Sequence, residues 1–426
     1  MAALSILRDL RPRRGVVGVL AVSNLARTVA NGFLLSVTVL YFLRTVEIPS
    51  QRVGLGLTVS AVLAMLVSLP AGQLSDRLGS RTTSIAFGVL QGVVVCGYTL
   101  AGGFAGFLVV VSLSAMADSA SAAARGALIA EALPPSERVG ARAYLQSVIN
   151  IGLSLGTLLG GAALAVNTRA VFTTLLLVSG ALFVVAGLLC CRLPGTQAPP
   201  RPEEAKSRHV LRDVPFLAVA ALNAVLVLGT DALLTVALPI WIADRTEAPV
   251  SVYAAIMFLN TVVCVLFQVR MSKGAEDVTG GARAMRRAGL LLAVCCALFA
   301  VAAGQPAWVA VVCLLAGALV HVFGEMLHSA GSWALSYDLA PAHAHGQYQG
   351  LFNLVQRVGA AVTPLLATAV IVGWGWPGWL LFAGVLLAGG LATPAAARWA
   401  QRTRAPEARE PEEPHEDAEA PRAVSA

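Results

Sequence analysis

The sequence predicts an all-α polytopic membrane protein with 12 transmembrane helices in two six-helix bundles, and three observations support this fold class. Apolar residues make up 57% of the 426-residue chain and charged residues only 12%, whereas soluble proteins carry about 25% charged residues. Twelve apolar runs reach the length that spans a bilayer, roughly 20 residues. Similar residues recur at a constant offset of 207, so we expect two related halves.

The apolar runs and the polar segments between them divide the chain into five parts. The first run follows several arginines and could be a signal peptide, but it is long and contains Arg27, so we interpret it as a retained helix. The five parts are a cytoplasmic N-terminal arm (1–14), an N-terminal six-helix bundle (15–191), a Pro-rich cytoplasmic linker (192–213), a C-terminal six-helix bundle (214–398) and a disordered cytoplasmic tail (399–426).

The basic residues predict how the chain is oriented in the membrane. If the N-terminus is inside, 23 of the 30 Lys and Arg residues fall in cytoplasmic segments. Because basic loops remain on the cytoplasmic side, we expect a multi-pass protein of the cell (inner) membrane with both termini in the cytoplasm. The net charge of +7 is then a topology signal, and no nucleic-acid partner is expected.

The sequence contains no pattern typical of a disulfide framework, a metal site, a catalytic site or a nucleotide-binding loop. The seven cysteines lie in or beside apolar runs without the spacing of a disulfide or metal framework. The sequence contains no nucleophile–base pair at helical spacing and no phosphate-binding G-x-x-x-x-G-K-[ST] loop. We therefore expect no enzyme, no cofactor and no metal. An intramembrane enzyme or a sensor remains the alternative class, although the longest loop, of about 22 residues, leaves little room for a signalling domain.

Polar side chains interrupt the first and fourth apolar runs at helical spacing. Asn24, Arg27 and Asn31 are 3 and 4 residues apart, and Asp118 and Arg125 lie two turns apart in the fourth run. A charge at this depth is costly unless it faces protein or water. We expect these residues to line an interior cavity on a substrate or proton pathway. A purely structural salt bridge is the alternative.

The second half carries its own buried polar residues. Asp231 lies in the seventh run, and His321, Glu325 and His328 are 4 and 3 residues apart in the tenth. Histidine and glutamate side chains can bind zinc. The three residues of the tenth run occupy only two turns of one helix, however, so we favour a protonatable relay over a metal site. Hydrogen-bonded polar groups without a coupling role are the alternative. At the offset of 207, Glu325 matches Asp118 and Asp231 matches Asn24.

The acidic residues differ in the cations available to them. A carboxylate near the bilayer centre is destabilised when charged unless a cation compensates it. Arg27 and Arg125 can compensate Asp118, whereas only histidines accompany Glu325 in its run. We therefore expect Glu325 to carry a proton, with Asp231 as the second choice.

A polar turn separates the second and third apolar runs. Residues 72–83 read GQLSDRLGSRTT. This segment resembles the loop G-x-L-x-D-[RK]-x-G-[RK]-[RK] that joins helices 2 and 3 of the major facilitator superfamily on the cytoplasmic side. Ser80 departs from the pattern at its first C-terminal basic position, and Thr82, directly after the pattern, is also uncharged. The matching residues are Gly72, Leu74, Asp76, Arg77, Gly79 and Arg81.

The resemblance implies roles for particular residues. Segment 131–138 is similar to the E-x-x-P-x-x-x-R loop of the same family, which implies that Glu131 pairs with Arg77 or Arg81 and that Asp76 caps the eleventh helix. Together these residues would form a conformational latch. The family's arrangement of helices 1 and 4 also makes Arg27–Asp118 a plausible ion pair.

A glycine repeat in the fifth run resembles the G-x-x-x-G-P-x-x-G-G motif of antiporters in this family. Gly152, Gly156 and Gly160 put a small-residue stripe on one helix face, which permits close helix packing. Thr157 stands where the motif has Pro. Ordinary helix packing is the alternative to an antiport motif.

The expected function follows from this resemblance. It implies a secondary active transporter that moves a small molecule across the cytoplasmic membrane by alternating access, with proton-coupled efflux favoured over proton-coupled uptake. The expected partners are a small-molecule substrate, protons and the lipid bilayer, with the protein as a monomer. The sequence does not specify the substrate.

Overall fold

The computed structural model describes residues 14–164, 166, 168–195, 210–230 and 233–404. Within these ranges the regular structure is helical, without a β-strand. The helices are α1 (Gly15–Arg44), α2 (Ser50–Leu78), α3 (Ser80–Gly97), α4 (Gly103–Ala132), α5 (Pro135–Leu164), α6 (Arg169–Leu189), α7a (Val214–Val227), α7b (Leu238–Arg245), α8 (Val252–Met271), α9 (Val278–Val301), α10 (Ala307–Asp338), α11 (His345–Leu366) and α12 (Trp376–Arg404).

The predicted all-α polytopic fold is confirmed. In the described part of the chain, 11 helical segments are long and apolar enough to cross a membrane. The seventh span differs from the continuous helix that the sequence predicts at 214–243. It consists of the short α7a, a π-helical turn at Leu233–Ala237 and α7b. Pro239, the second residue of α7b, has no N–H to continue the helical hydrogen bonding, which favours this break. Asp231 lies between the two pieces, outside the described residues.

Successive helices are joined by connections at two opposite ends of the molecule. We call them the Gly79 end, where α2 meets α3, and the Glu47 end, where α1 meets α2. Gly79 has a φ of 87°, a backbone conformation that glycine adopts without steric cost. This single residue therefore reverses the chain direction, so that α3 begins immediately after α2.

The helices form two bundles, α1–α6 and α7a–α12. In the first bundle α1 packs on α5 and α6, and α2 packs on α4. In the second bundle α9 packs on α10 and α12, and α7a packs on α12. The bundles meet where α2 and α4 contact α11 and where α5 contacts α8 and α10.

The glycine stripe of α5 faces α1. A Cβ atom on Gly156 would lie 2.3 Å from the carbonyl oxygen of Val29, and one on Gly152 would lie 2.1 Å from the Thr28 hydroxyl. A Cβ on Gly160 would come within 2.9 Å of the Ser36 hydroxyl. The glycines therefore let α5 pack so closely on α1 that a side chain at these positions of α5 would not fit.

The outer surface carries large apolar side chains. Phe258 is 73% exposed and Leu66 is 65% exposed, which suits contact with lipid chains. Three tryptophans cluster at the Glu47 end, where α10 and α12 begin and α11 ends. Trp308, Trp374 and Trp376 are all exposed, and indole rings favour the interface between membrane and water.

Helix α12 continues past the predicted end of the second bundle. It ends at Arg404, so residues 399–404 are helical and not part of the disordered tail predicted at 399–426. The last turn is held because Arg404 pairs with Asp213 at 2.5 Å. Asp213 also accepts a hydrogen bond from the Tyr348 hydroxyl at 2.6 Å. The rest of the predicted tail, residues 1–13 of the arm and residues 196–209 of the linker lie outside the described residues.

Candidate functional site between the two bundles

At the Gly79 end, a carboxylate of the first bundle caps a helix of the second. Asp76 accepts hydrogen bonds from the backbone N–H of Gly346 at 2.6 Å and of Gln347 at 2.9 Å. These N–H groups belong to the first turn of α11, where helical donors lack partners in their own helix. The negative charge also lies at the positive end of the helix dipole. Asp76 therefore caps α11, as the resemblance implies.

The backbones of α2 and α11 touch beside this cap. A Cβ on Gly72 would lie 2.0 Å from the carbonyl oxygen of Gly346, so only glycine fits there. One turn further along, the Ser68 hydroxyl donates to the carbonyl oxygen of Gly350 at 2.8 Å. The two bundles are therefore in backbone contact along this pair of helices.

The other predicted latch residues have different partners from those expected. Glu131 accepts a hydrogen bond from the Ser80 hydroxyl at 2.5 Å, whereas Arg81 donates to the carbonyl oxygen of Cys191. The expected pairing of Glu131 with Arg77 or Arg81 is thus replaced. Ser80 occupies a position that is basic in the family pattern, and its short side chain reaches Glu131. The Arg81 guanidinium instead binds a free carbonyl past the end of α6, where cations are favoured.

Further inter-bundle contacts lie between α5 and the second bundle. The Asn150 amide donates to the Cys264 sulfur at 3.1 Å. The Arg142 guanidinium stacks over the ring of Trp333, 5.9 Å from its centroid. Together with the Asp76 cap, these contacts close the Gly79 end of the molecule.

Near the centre, one carboxylate binds arginines from both bundles. Asp118 of α4 lies 3.4 Å from Arg27 of α1 and 3.3 Å from Arg357 of α11. The Arg27–Asp118 pair is the one that the resemblance implies. Sequence reasoning missed Arg357 as a site residue, although an arginine within an apolar run is itself a signal of function.

The remaining predicted residues of α1 and α4 lie on different surfaces. The Asn24 amide is buried and donates to the carbonyl oxygen of Leu20 in its own helix. Asn31 is half-buried one turn beyond Arg27. Arg125 is buried and donates to the Ser121 hydroxyl. These residues therefore do not converge on Asp118.

In the second bundle, the polar side chains that the structure describes beside Glu325 are an amide and an imidazole. It accepts a hydrogen bond from the Asn260 amide of α8 at 3.2 Å, and its carboxylate is 3.8 Å from the Nδ1 atom of His321. Among the described residues, no Arg or Lys lies within ion-pair distance of Glu325. Its environment therefore contrasts with that of Asp118.

His328 does not join this group. Its Nε2 atom lies 2.9 Å from the amide oxygen of Asn223 in α7a. Residues three apart on a helix point about 60° away from each other, and here that angle turns His328 towards α7a and away from Glu325. Of the three residues expected to form a relay, the structure therefore brings together only His321 and Glu325. Asn223 and Asn260 were missed, although each is a polar residue inside an apolar run.

The comparison with protein families agrees with this geometry. A family model of the Major Facilitator Superfamily matches residues 20–364. The chain belongs to the major facilitator superfamily. Within it, an uncharacterised MFS-type transporter of Bacillus subtilis (strain 168), YhjO, is 26% identical over 315 residues, which are 73% of this chain and 75% of YhjO.

Solved structures of major facilitator proteins share the fold. FucP in the outward conformation matches with a TM-score of 0.71 at 14% identity, covering 90% of this chain and 98% of that one. A bacterial homologue of the iron transporter ferroportin, in the outward-facing state, matches with a TM-score of 0.69 at 15% identity. That match covers 91% of this chain and 100% of the other. At these identities the likeness concerns the fold alone.

Proposed function

We propose that this protein is a secondary active transporter that moves a small molecule across the cytoplasmic membrane by alternating access and couples this movement to protons. The observation that carries the proposal is the difference between the two central carboxylates. Within the described residues, Asp118 binds two arginines, whereas the polar side chains beside Glu325 are Asn260 and His321. We propose that the protein works as a monomer with both termini in the cytoplasm.

The contrast supports Glu325 as the proton carrier. An ionised carboxylate inside a helix bundle costs several kcal/mol unless a cation or several donors compensate it. Two arginines keep Asp118 ionised. In the part of the chain that the structure describes, no Arg or Lys pairs with Glu325, so a change in water access is enough to move a proton on or off its carboxylate. A protonated Glu325 retains the Asn260 contact because the neutral carboxyl still accepts a hydrogen bond.

The closed Gly79 end supports alternating access. If this end faces the cytoplasm, the structure corresponds to a state that is closed on the cytoplasmic side. Opening that side must separate α2 from α11, which removes the Asp76 cap from the first turn of α11. The cap is a short-range polar contact that can re-form, so it suits a two-state transition.

The direction that we propose is efflux by proton antiport. It is supported by the similarity of the α5 glycine repeat to the motif of antiporters in this family. Uptake by proton symport is the competing candidate, and a solved structure that shares the fold is that of the fucose:proton symporter FucP of Escherichia coli.

Vesicles of opposite orientation distinguish these directions. Everted and right-side-out membrane vesicles with and without the protein would be supplied with a panel of radiolabelled metabolites and drugs under an imposed proton gradient. Efflux predicts accumulation in everted vesicles, with the gradient acid inside. Accumulation only in right-side-out vesicles with an acid exterior would establish uptake. A purified protein that moved no compound of the panel against a gradient would contradict secondary active transport.

A further inference from the structure

A small polar pocket lies inside the first bundle, apart from the boundary between the bundles. Helices α1, α3, α4 and α6 enclose it, and it has room for about one water-sized group. Polar side chains are unusual inside a single transmembrane bundle. Those that line the pocket are Ser23, Arg27, Ser84, Gln91, Ser121 and Arg125.

Several polar atoms on the wall of the pocket lack a protein partner. The Ser84 hydroxyl, the side-chain oxygen of Gln91 and the Nε atom of Arg27 are buried without a hydrogen bond. Ser84 and Gln91 are each only 2% exposed. A Gln amide can present either its oxygen or its N–H₂ group after a flip about the last bond. The wall therefore offers up to three hydrogen-bond donors to an occupant.

The same wall carries more positive charge than the carboxylate paired with it neutralises. Arg125 is 8% exposed, and among the described residues no carboxylate lies within ion-pair distance of it. The acidic group that acts on it is Asp118, which already pairs with Arg27 and Arg357. Two arginines thus pair with this carboxylate, and Arg125 has no paired carboxylate of its own among the described residues. A buried cation without a counter-charge is strongly destabilising.

We propose that this pocket holds one small monovalent anion of the size of chloride. Arg125 and Arg27 supply the charge, and the Ser84 hydroxyl and the Gln91 amide supply further donors. A water molecule could satisfy the hydrogen bonds, but it would leave the excess charge uncompensated. The anionic group of a larger substrate would not fit, since the space is that of one water. The pocket shares Arg27 with the candidate site at Asp118, but it lies within the first bundle, and its occupancy does not depend on the direction of transport.

The thermal stability of the purified full-length protein in detergent tests the proposal. The unfolding temperature is measured as sodium gluconate is replaced by sodium chloride or bromide at constant ionic strength. Because a ligand that binds the folded state stabilises it by mass action, we expect a saturable rise in Tm with both halides. Gluconate is too large for the pocket and should give no rise. An equal Tm in all three salts would overturn the proposal.

Variants locate the effect in the pocket. Ser84→Ala removes one donor with little change in volume, and we expect it to raise the half-saturating chloride concentration at least about threefold while the Tm in gluconate stays near wild type. Ser60→Ala, a buried serine of α2 outside the pocket, should leave the halide dependence unchanged. A halide effect that is the same in wild type and Ser84→Ala would place the ion elsewhere and contradict the assignment. Arg125→Gln should abolish the effect if the variant folds.

Crystals grown in bromide provide a readout that does not depend on any variant. An anomalous-scattering peak within contact distance of the Arg125 guanidinium and the Ser84 hydroxyl is the expected result. A pocket that shows only a water-like density without anomalous signal would overturn the proposal.

Discussion

Asp118 of α4 and Arg357 of α11 form an ion pair at 3.3 Å across the boundary between the two bundles. The same carboxylate binds Arg27 within its own bundle at 3.4 Å. The Arg27 pair lies within the first bundle, whereas the Arg357 pair can form only while the two bundles are close. Arg357 is therefore expected to influence the conformational equilibrium, and Arg27 the stability of the bundle.

Arg357→Gln should favour separation of the bundles. The Arg357 side chain is 36% exposed, and ion pairs that are partly exposed contribute about 0–1 kcal/mol. We therefore expect the ratio of separated to closed molecules to rise by at most about fivefold. Distances between spin labels on the Gly79 ends of α2 and α11 measure this population. Arg27→Gln is the matched control because its pair does not cross the boundary, and an equal shift in both variants would contradict the distinction.

Gly72→Ala should prevent closure of the Gly79 end. The added Cβ would lie 2.0 Å from the carbonyl oxygen of Gly346, a backbone atom that cannot rotate away. We expect transport to fall at least about tenfold while the variant remains folded, because only the closed state is affected. Gly54→Ala on the same helix has no atom within 4 Å of its new Cβ and serves as the control. Full activity of Gly72→Ala would show that α2 and α11 do not approach this closely.

Gly156→Ala should destabilise the first bundle. Its new Cβ would meet the Val29 carbonyl oxygen at 2.3 Å, and overpacking of this kind costs about 1–3 kcal/mol. The measurement is the Tm of the purified protein in detergent. Gly161→Ala, five residues along the same helix, meets no atom within 4 Å and should leave the Tm unchanged. Equal values of Tm for the two variants would show that the glycine stripe has no role in packing α5 on α1.

Cysteine labelling in intact cells tests the proposed orientation. Cys191 is exposed at the Gly79 end, so the experiment uses a Cys191→Ser background. Glu137→Cys at the Gly79 end should react only after the membrane is made permeable, whereas Glu247→Cys at the Glu47 end should react with an impermeant maleimide from outside. Both residues are exposed. The opposite labelling pattern would show that the orientation is the reverse of the proposed one.

Much of the fold could be predicted from the sequence because the bilayer imposes a simple constraint. Each span must be a helix of about 20 apolar residues, so composition and spacing were sufficient to predict the polytopic all-α class. The break between α7a and α7b could not be predicted in this way. It depends on local backbone geometry around Pro239, which hydropathy does not describe.

The polar contacts were harder to predict, for a physical reason. Spacing along one helix shows which residues share a face, but not which neighbouring helix that face meets. His328 is three residues from Glu325 and yet contacts Asn223 of another helix. Arg357 reaches Asp118 only because α11 packs on α4. Partners on different helices require the packing of those helices to be known.

The assignment of Glu325 as the proton carrier is the central claim, and substrate-induced proton movement in proteoliposomes tests it most directly. The substrate is the one identified in the vesicle assay, and Glu325→Gln is compared with wild type and with Glu325→Asp, which keeps a titratable carboxyl. We predict that Glu325→Gln moves no protons with substrate yet still exchanges substrate down its gradient, because the neutral amide mimics the protonated state, whereas Glu325→Asp retains proton movement. Proton movement of normal stoichiometry in Glu325→Gln would contradict the account.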